Sequence, residues 1–242
     1  MRPHGGRFID LGAARSPEGT SHALRAYVPA VGGPGPRPLL VLFDGQNVFD
    51  DHGSFAGGWH AHEAVEKLTA STLRAPVIVG IANGGRHRVR ELGAHLQPFL
   101  DGVVREAVGR AAASFELTGR RVLGGASLGG LAALQVWFTE PQLFESALVM
   151  SPSLWFGHHH LLRELRDGHL RAPLTGRLYL DAGGRERGRM FADAELLAAA
   201  LGRAGLGADR LMWRPDARGT HHERHWRRRL PKALRFLFRR GR

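Results

Sequence analysis

The sequence predicts an α/β domain: a mostly parallel, twisted sheet of about seven to eight strands with helices on both faces. The segments 36–45 and 75–85 contain unbroken apolar runs, as expected of strands that are buried on both faces of a sheet. Segments with helical periodicity alternate with such runs along the chain, and this order favours parallel strand pairing. The turn-rich segment 30–38 is too short to divide the chain, so we expect one domain over residues 1–242, without a large lid.

Each element is predicted from apolar periodicity and from the turn residues that bound it. The last helix, at about 223–239, is predicted from the spacing of four apolar residues. They recur at three- and four-residue steps, as on a buried helical stripe: Trp226, Leu230, Leu234 and Leu237. The predicted strands are 22–30, 36–45, 75–85, 120–127, 146–153, 176–184 and 209–217, and the other predicted helices are 59–70, 98–113, 128–138, 158–168 and 190–205.

Composition restricts the classes of function. The chain has no cysteine, which excludes disulfides and thiolate catalysis. No apolar run approaches the roughly 20 residues that span a bilayer, and the first residues lack the apolar core of a signal peptide. We therefore expect a cytoplasmic protein with no membrane partner.

The net charge of +12 raises the alternative of a nucleic-acid-binding protein without catalytic activity. Basic residues are concentrated in the segment 218–242, which includes the predicted last helix. Nearly all cations are arginine, and only Lys67 and Lys232 are lysine, which is typical of a GC-biased genome. We therefore interpret the basic tail as a solvated helix face, and we expect no nucleic-acid partner.

The chemical signal lies in the segment 124–130, GGASLGG, between a predicted strand and a predicted helix. Gly125-Ala126-Ser127-Leu128-Gly129 fits the pattern Gly-x-Ser-x-Gly of a nucleophile elbow. In that turn a strained serine projects its hydroxyl at the end of the sheet, and small neighbours are needed because strand and helix nearly touch. The sequence therefore predicts Ser127 as a nucleophile.

A serine nucleophile needs a base, and the base needs an orienting acid. Glu186 follows the predicted strand 176–184 and is favoured over Asp181, which lies within that strand. His221 and His222 follow the last predicted strand, and His221 comes directly after the loop residues Gly219 and Thr220. The residues alone therefore leave two candidates for the acid, Glu186 and Asp181, and two for the base, His221 and His222.

Several stretches resemble the esterase branch of the α/β-hydrolase superfamily, which includes enterochelin esterases, feruloyl esterases, esterase D and mycolyltransferases. They are VLFDGQNVFD (41–50), VIVGIANGGRHRVREL (77–92), the elbow GGASLGGLAAL (124–134), ALVMSPSLWF (147–156) and HHERHWRRRLPKALRFLF (221–238). The resemblance extends over residues 20–238.

The resemblance implies a Ser-His-Glu triad of Ser127, His221 and Glu186, with the backbone amides of Gln46 and Leu128 as the oxyanion hole. It implies hydrolysis of carboxylic esters through an acyl-enzyme, with no cofactor and no metal. Transfer of the acyl group to an alcohol or sugar, as in the mycolyltransferases, is the alternative. The implied partner is a small ester, while the oligomeric state is not predicted.

The resemblance also brings three aromatic residues, Trp59, Trp155 and Phe156, to the catalytic edge as candidate substrate contacts. Packing in the core is the alternative for each of them. Arg88 and Glu91, three residues apart in the stretch RHRVREL, are expected to pair with each other rather than with a ligand.

Overall fold

The computed structural model describes residues 5–68 and 74–239. Its centre is one eight-stranded sheet with the order β1-β2-β4-β3-β5-β6-β7-β8. The pairs β1–β2 and β2–β4 are antiparallel, and all other pairs are parallel, which confirms the predicted fold class. The strands are β1 (Arg7–Arg15), β2 (Ser21–Val28), β3 (Arg37–Phe43), β4 (Val77–Ile81), β5 (Leu117–Ala126), β6 (Ser146–Met150), β7 (Leu178–Gly183) and β8 (Leu211–Asp216).

Helices connect the parallel strands and cover both faces of the sheet. They are α1 (Ala61–Glu66), α2 (Arg88–Glu91), α3 (Leu96–Phe99), α4 (Arg105–Ser114), α5 (Leu128–Thr139), α6 (His160–Arg166), α7 (Met190–Arg203) and α8 (Glu223–Phe238). A π-helical turn at Leu100–Val104 joins α3 to α4, so the predicted helix 98–113 is one continuous helical run. Helix α1 is shorter than the predicted 59–70, and positions 69 and 70 lie outside the described residues. Within the described ranges, no helix is long and apolar enough to cross a bilayer.

Strand β1 was not predicted. It is an edge strand whose side chains are mostly exposed, so its sequence lacks the apolar run of the central strands. The pairing with β2 also shifts register between Asp10 and Ala13, next to Gly12 with a φ of 77°. A bulged, exposed edge strand carries little hydrophobic periodicity, which explains why sequence patterning missed it.

Two hydrophobic clusters, one on each face, hold the sheet between its helices. The predicted apolar stripe of α8 is confirmed, since Trp226, Leu230, Leu234 and Leu237 are all buried in the second cluster. Because the parallel strands run in one direction, their carboxyl ends meet at one edge, where sites form in open α/β sheets. The segments that follow β3, β5, β6, β7 and β8 carry the predicted site residues to this edge.

Candidate active site

Ser127 lies at the turn between β5 and α5 in a strained conformation. Its φ is 58° and its ψ is −124°, a backbone region that side-chain-bearing residues rarely adopt and that costs about 1–3 kcal/mol. The turn is held from both sides, because the Ser127 amide donates to Met150 O at 3.0 Å and the Ser127 carbonyl accepts from Ser153 N at 3.0 Å. The predicted elbow geometry is therefore present in the fold.

The glycines around Ser127 are required by close backbone contact. A Cβ on Gly125 would lie 2.6 Å from the carbonyl carbon and oxygen of Gly129, at the start of α5. A Cβ on Gly129 would lie 3.2 Å from Oδ2 of Asp44 and 3.3 Å from Cβ of Phe43. The start of α5 thus packs directly against its own strand and against the end of β3, where the predicted oxyanion loop begins.

Glu186 and His221 are hydrogen-bonded across two loops. His221 Nδ1 lies 3.3 Å from Oε2 of Glu186, whose side chain is fully buried, while the imidazole is 33% exposed. Burial acts to raise the pKa of Glu186, but hydrogen bonds from His221, Ser151 and the Gly183 amide outweigh it and hold the pKa below its usual value. An ionised carboxylate only accepts, so Nδ1 carries the proton and Nε2 of a neutral imidazole is left as the basic atom.

The rival candidates have other contacts. Asp181 is fully buried and accepts from the Ser151 amide at 3.2 Å and from the Tyr179 hydroxyl at 3.0 Å. Burial raises its pKa to about 6, although Arg229, with Nε 2.9 Å from Oδ2, opposes the shift. His222 caps α8 by accepting from the Arg224 amide at 3.3 Å. The acid in contact with His221 is therefore Glu186.

One short segment after β6, residues 151–153, contacts both the serine and the acid. Ser127 Oγ lies 3.1 Å from Ser153 Oγ, and Ser151 Oγ lies 2.5 Å from Oε1 of Glu186. Among the described residues, no hydrogen bond joins Ser127 to His221. The structure thus brings Ser127 and the Glu186–His221 pair to one segment, with the serine hydroxyl turned toward Ser153.

Sequence reasoning did not assign a role to Ser151, Trp226 or Arg229 in this site. Trp226 Nε1 and Arg229 Nη2 donate to Ser151 Oγ at 3.0 and 2.9 Å, and the Trp226 ring lies edge-on to His221 with centroids 5.0 Å apart. The available signal was the pair of serines around Pro152, directly after a buried strand next to the elbow strand.

The candidate oxyanion donors lie on two elements that touch. Leu128 is the first residue of α5, so its amide has no partner within the helix. Gln46 lies in a 3-10 turn (Gly45–Asn47) that begins at Asp44, which has a φ of 57°. The Gln46 side chain accepts from the Asn83 amide at 3.1 Å, which fixes this turn to the segment after β4.

Arg88 does not pair with Glu91, so that expectation was wrong. Its Nε and Nη2 donate to the two carboxylate oxygens of Asp44 at 2.5 and 2.7 Å. Glu91 instead contacts Nε2 of His22 at 3.1 Å, and both side chains are buried. Residues three apart on this short helix point to different partners, because tertiary contacts override the weak local pairing.

The three aromatic candidates differ in exposure. Trp59 is 2% exposed and packs against Trp226 with ring centroids 5.9 Å apart, so it belongs to the core and leaves almost no surface for a ligand. Phe156 is half-buried and packs against the first core cluster. Trp155 is 54% exposed and remains a candidate substrate contact.

Within residues 5–68 and 74–239, no group of three or more His, Asp or Glu side chains is arranged to hold a metal ion. The three consecutive histidines at 158–160 diverge, since His159 contacts Asp193 at 3.0 Å and His160 lies 3.8 Å from Glu164.

A comparison with protein families identifies the family of the chain. The model of the family described as "Putative esterase" matches residues 19–237. The chain belongs to this esterase family. The match includes every residue of the candidate triad and both candidate oxyanion donors.

Curated relatives share part of their length with this esterase-family chain. An iron(III) salmochelin esterase from Escherichia coli is 31% identical over 152 residues, which are 57% of this chain and 34% of the relative. A siderophore triacetylfusarinine C esterase from Aspergillus fumigatus is 29% identical over 158 residues, 55% of this chain and 50% of the relative. The chain therefore spans half or less of the length of these relatives.

Solved structures resemble the whole fold. An enterochelin esterase from Shigella flexneri superposes with a TM-score of 0.74 at 26% identity, covering 95% of this chain and 57% of that one. The BES protein from Bacillus cereus has the same TM-score of 0.74 at 24% identity, covering 98% of this chain and 96% of that one. At 24% identity, the similarity to the BES protein shows a shared fold and nothing more.

Proposed function

We propose that the protein hydrolyses carboxylic esters through a covalent acyl-enzyme, with Ser127 as nucleophile, His221 as general base and Glu186 as the orienting acid. One observation carries the proposal: the segment 151–153 contacts both Ser127, in its strained turn, and Glu186, which is hydrogen-bonded to His221. Membership in an esterase family supports it independently.

In the first half-reaction His221 Nε2 takes the proton of Ser127 Oγ while this oxygen attacks the ester carbonyl. The amides of Gln46 and Leu128 donate hydrogen bonds to the carbonyl oxygen as it becomes negative. Loss of one such donor typically costs about a hundredfold to a thousandfold in kcat. Ionised Glu186 stabilises the imidazolium that forms beside it.

The tetrahedral intermediate then collapses, and His221 gives its proton to the departing alcohol oxygen. In the second half-reaction His221 takes a proton from water, whose oxygen attacks the acyl carbonyl. The acid leaves and Ser127 Oγ recovers its proton, so atoms and charges balance over the cycle.

The proposal requires the Ser127 hydroxyl to exchange its Ser153 partner for His221. In the proposed mechanism the two side chains make this exchange when the ester binds, while backbone hydrogen bonds to Met150 and Ser153 hold the turn of Ser127 in place. Catalytic hydrogen bonds often tighten only when substrate binds, so the geometry is compatible with the mechanism.

We infer that the substrate is an ester-linked siderophore or one of its fragments. Two relatives are named as siderophore esterases, and a third is named as an iron(III) salmochelin esterase. Exposed Trp155 offers an aromatic surface after β6, and exposed Arg185, Arg187 and Arg189 flank Glu186 along the chain. An aromatic, anionic ester such as a catecholate would complement both features.

An ester panel tests both proposals. Short-chain p-nitrophenyl esters, a feruloyl ester and a ferric catecholate trilactone are given to wild type, Ser127→Ala and the control Ser114→Ala, whose serine is exposed at the end of α4. We expect Ser127→Ala to lose about a thousandfold or more in kcat and the control to match wild type. A folded Ser127→Ala that keeps the wild-type rate would overturn the nucleophile assignment.

Two further measurements sharpen the result. A fluorophosphonate should label wild type once, at Ser127, and should not label Ser127→Ala in intact mass spectra. Product analysis with an added alcohol acceptor separates hydrolysis from acyl transfer, because only a transferase would form the new ester in excess over the free acid.

A further inference from the structure

A second cleft lies at the opposite edge of the sheet from the proposed active site, where β5 to β8 begin. It has a volume of about 820 Å³. Four arginines from separate segments line it: Arg120 on β5, Arg177 before β7, Arg210 before β8 and Arg239 after α8. We propose that this arginine cleft binds a phosphate-bearing small molecule.

The charge in the arginine cleft is unbalanced. Its four arginine residues are half-buried, and two carboxylates, those of Glu145 and Asp209, line it with them among the described residues. Arg120 Nε lies 3.3 Å from Oε1 of Glu145. Burial lowers the pKa of Arg177, and repulsion from Arg120 and Arg239 lowers it further. A bound anion would relieve this repulsion.

Backbone carbonyls hold the guanidinium groups in place without neutralising them. Arg177 Nη1 donates to the carbonyls of Leu237 and Arg239 at 3.5 and 2.9 Å, and Arg120 donates to the same two carbonyls. Arg210 Nη2 donates to Thr175 O at 2.9 Å. These contacts also satisfy the end of α8, but a carbonyl carries only a partial charge.

The remaining donors suit phosphate. Arg177 Nε and Nη2 donate to no acceptor in the described part of the chain, and a guanidinium offers five N–H groups in a rigid fork. Such forks match phosphate oxygens in pairs, and the charge of a dianion equals the excess of two positive charges that the described lining residues carry. A carboxylate would supply one charge and two oxygens, so phosphate is the better complement.

The test adds a negative charge without removing a contact. Leu174 lines the arginine cleft and is 93% exposed, so its replacement removes little packing and Leu174→Glu should fold normally. The matched control is Leu196→Glu, at a 52% exposed position on α7 away from the cleft. Calorimetric titration at low salt measures the affinity for inorganic phosphate, pyrophosphate and ATP.

We expect saturable binding to wild type, about threefold to tenfold weaker in Leu174→Glu and unchanged in Leu196→Glu. Arg177→Gln should weaken binding further, and circular dichroism checks its folding. Equal affinity for phosphate and ATP would identify the free ion as the ligand, while tighter binding of ATP would identify a phosphate group of a larger molecule.

Two outcomes would overturn the proposal. One is the lack of saturable binding of all three probes at concentrations up to about 10 mM. The other is an equal loss in Leu174→Glu and Leu196→Glu, since this would mean general attraction to a cationic protein. Both outcomes leave the esterase proposal intact, because the measurement is of binding and not of ester cleavage.

Discussion

The Ser151 hydroxyl donates a 2.5 Å hydrogen bond to Oε1 of Glu186, while Oε2 of the same carboxylate contacts His221. The direction follows from the partners, since Trp226 Nε1 and Arg229 Nη2 are donors only and leave the single Ser151 proton for Glu186. Ser151 is thus fully hydrogen-bonded and holds the buried carboxylate in one orientation. In the proposed mechanism it is a positioning residue.

Ser151→Ala should lower kcat by roughly tenfold to a hundredfold, the value of one hydrogen bond to a charged group. The substitution removes one of three hydrogen bonds to ionised Glu186, so the pKa of this carboxyl rises. We therefore expect the low-pH end of the pH–rate profile, below about pH 5 where Glu186 takes up its proton, to shift to higher pH. Steady-state kinetics from pH 4 to 9 measure both effects.

Ser146→Ala is the matched control for Ser151→Ala. Ser146 is equally buried at the start of β6, the strand that Ser151 follows, but its hydroxyl accepts from the Arg177 amide at the opposite edge of the sheet. A similar shift of the pH–rate profile in both variants would contradict a specific role of Ser151, because it would reflect a general loss of stability.

Glu186 should also make stability depend on pH. Its pKa is lower in the folded than in the unfolded protein, so its contribution is present above the ordinary pKa of glutamate and is lost as the pH falls through the folded value. We expect the difference in unfolding free energy between wild type and Glu186→Gln to shrink on acidification. Urea denaturation at pH 7, 5, 4 and 3 measures it.

The control for Glu186→Gln is Glu195→Gln, on the exposed face of α7. This variant should follow the pH dependence of the wild type. If the difference between wild type and Glu186→Gln stayed constant with pH, the carboxylate would not be held in its ionised form as the structure indicates.

Gly125→Ala should destabilise the fold by about 1–3 kcal/mol, because the new methyl group would lie 2.6 Å from the Gly129 backbone. The displacement should also disturb Ser127 and reduce kcat. Gly109→Ala is the matched control on α4, where a Cβ meets nothing within 4 Å. There alanine should stabilise the helix by about 0.5–1 kcal/mol, so thermal unfolding should shift in opposite directions.

Arg88→Lys should cost roughly 1–3 kcal/mol and lower kcat, because lysine cannot replace the two-pronged contact with Asp44 at the start of the Gln46 turn. Arg90→Lys on the same helix is the control. Its partner is Glu18 at 3.3 Å and its side chain is 53% exposed, so the loss should stay below about 1 kcal/mol. Urea denaturation and steady-state kinetics measure both effects. If the two variants had the same free energy of unfolding and the same kcat, Arg88 would have no special role in holding the turn.

Much of the architecture could be predicted from neighbouring residues. The buried strands, the elbow around Ser127 and the amphipathic stripe of α8 all depend on spacing within one segment, so periodicity and a short motif predicted them. Strand β1 was not predicted because it is an exposed, bulged edge strand, and such a strand has no apolar run in its sequence.

The residues of the site could be reduced to a few candidates, but the contacts between them could not be predicted from the chain order. The chain order of serine, acid and histidine predicted two acids and two histidines, and the resemblance to esterases favoured one of each. The structure joins Glu186 to His221, residues that are 35 positions apart, through loops that follow different strands. Their meeting depends on the sheet order and on the directions of two loops.

The α/β class, the order of its elements and the serine elbow could be predicted from the sequence, because each depends on residues close together along the chain. The burial of Trp59 in the core, the pairing of Arg88 with Asp44 and the meeting of four arginines in one cleft were visible only in the folded protein. These outcomes depend on which distant segments the sheet places side by side, and burial and charge pairing between such segments leave no local pattern in the sequence.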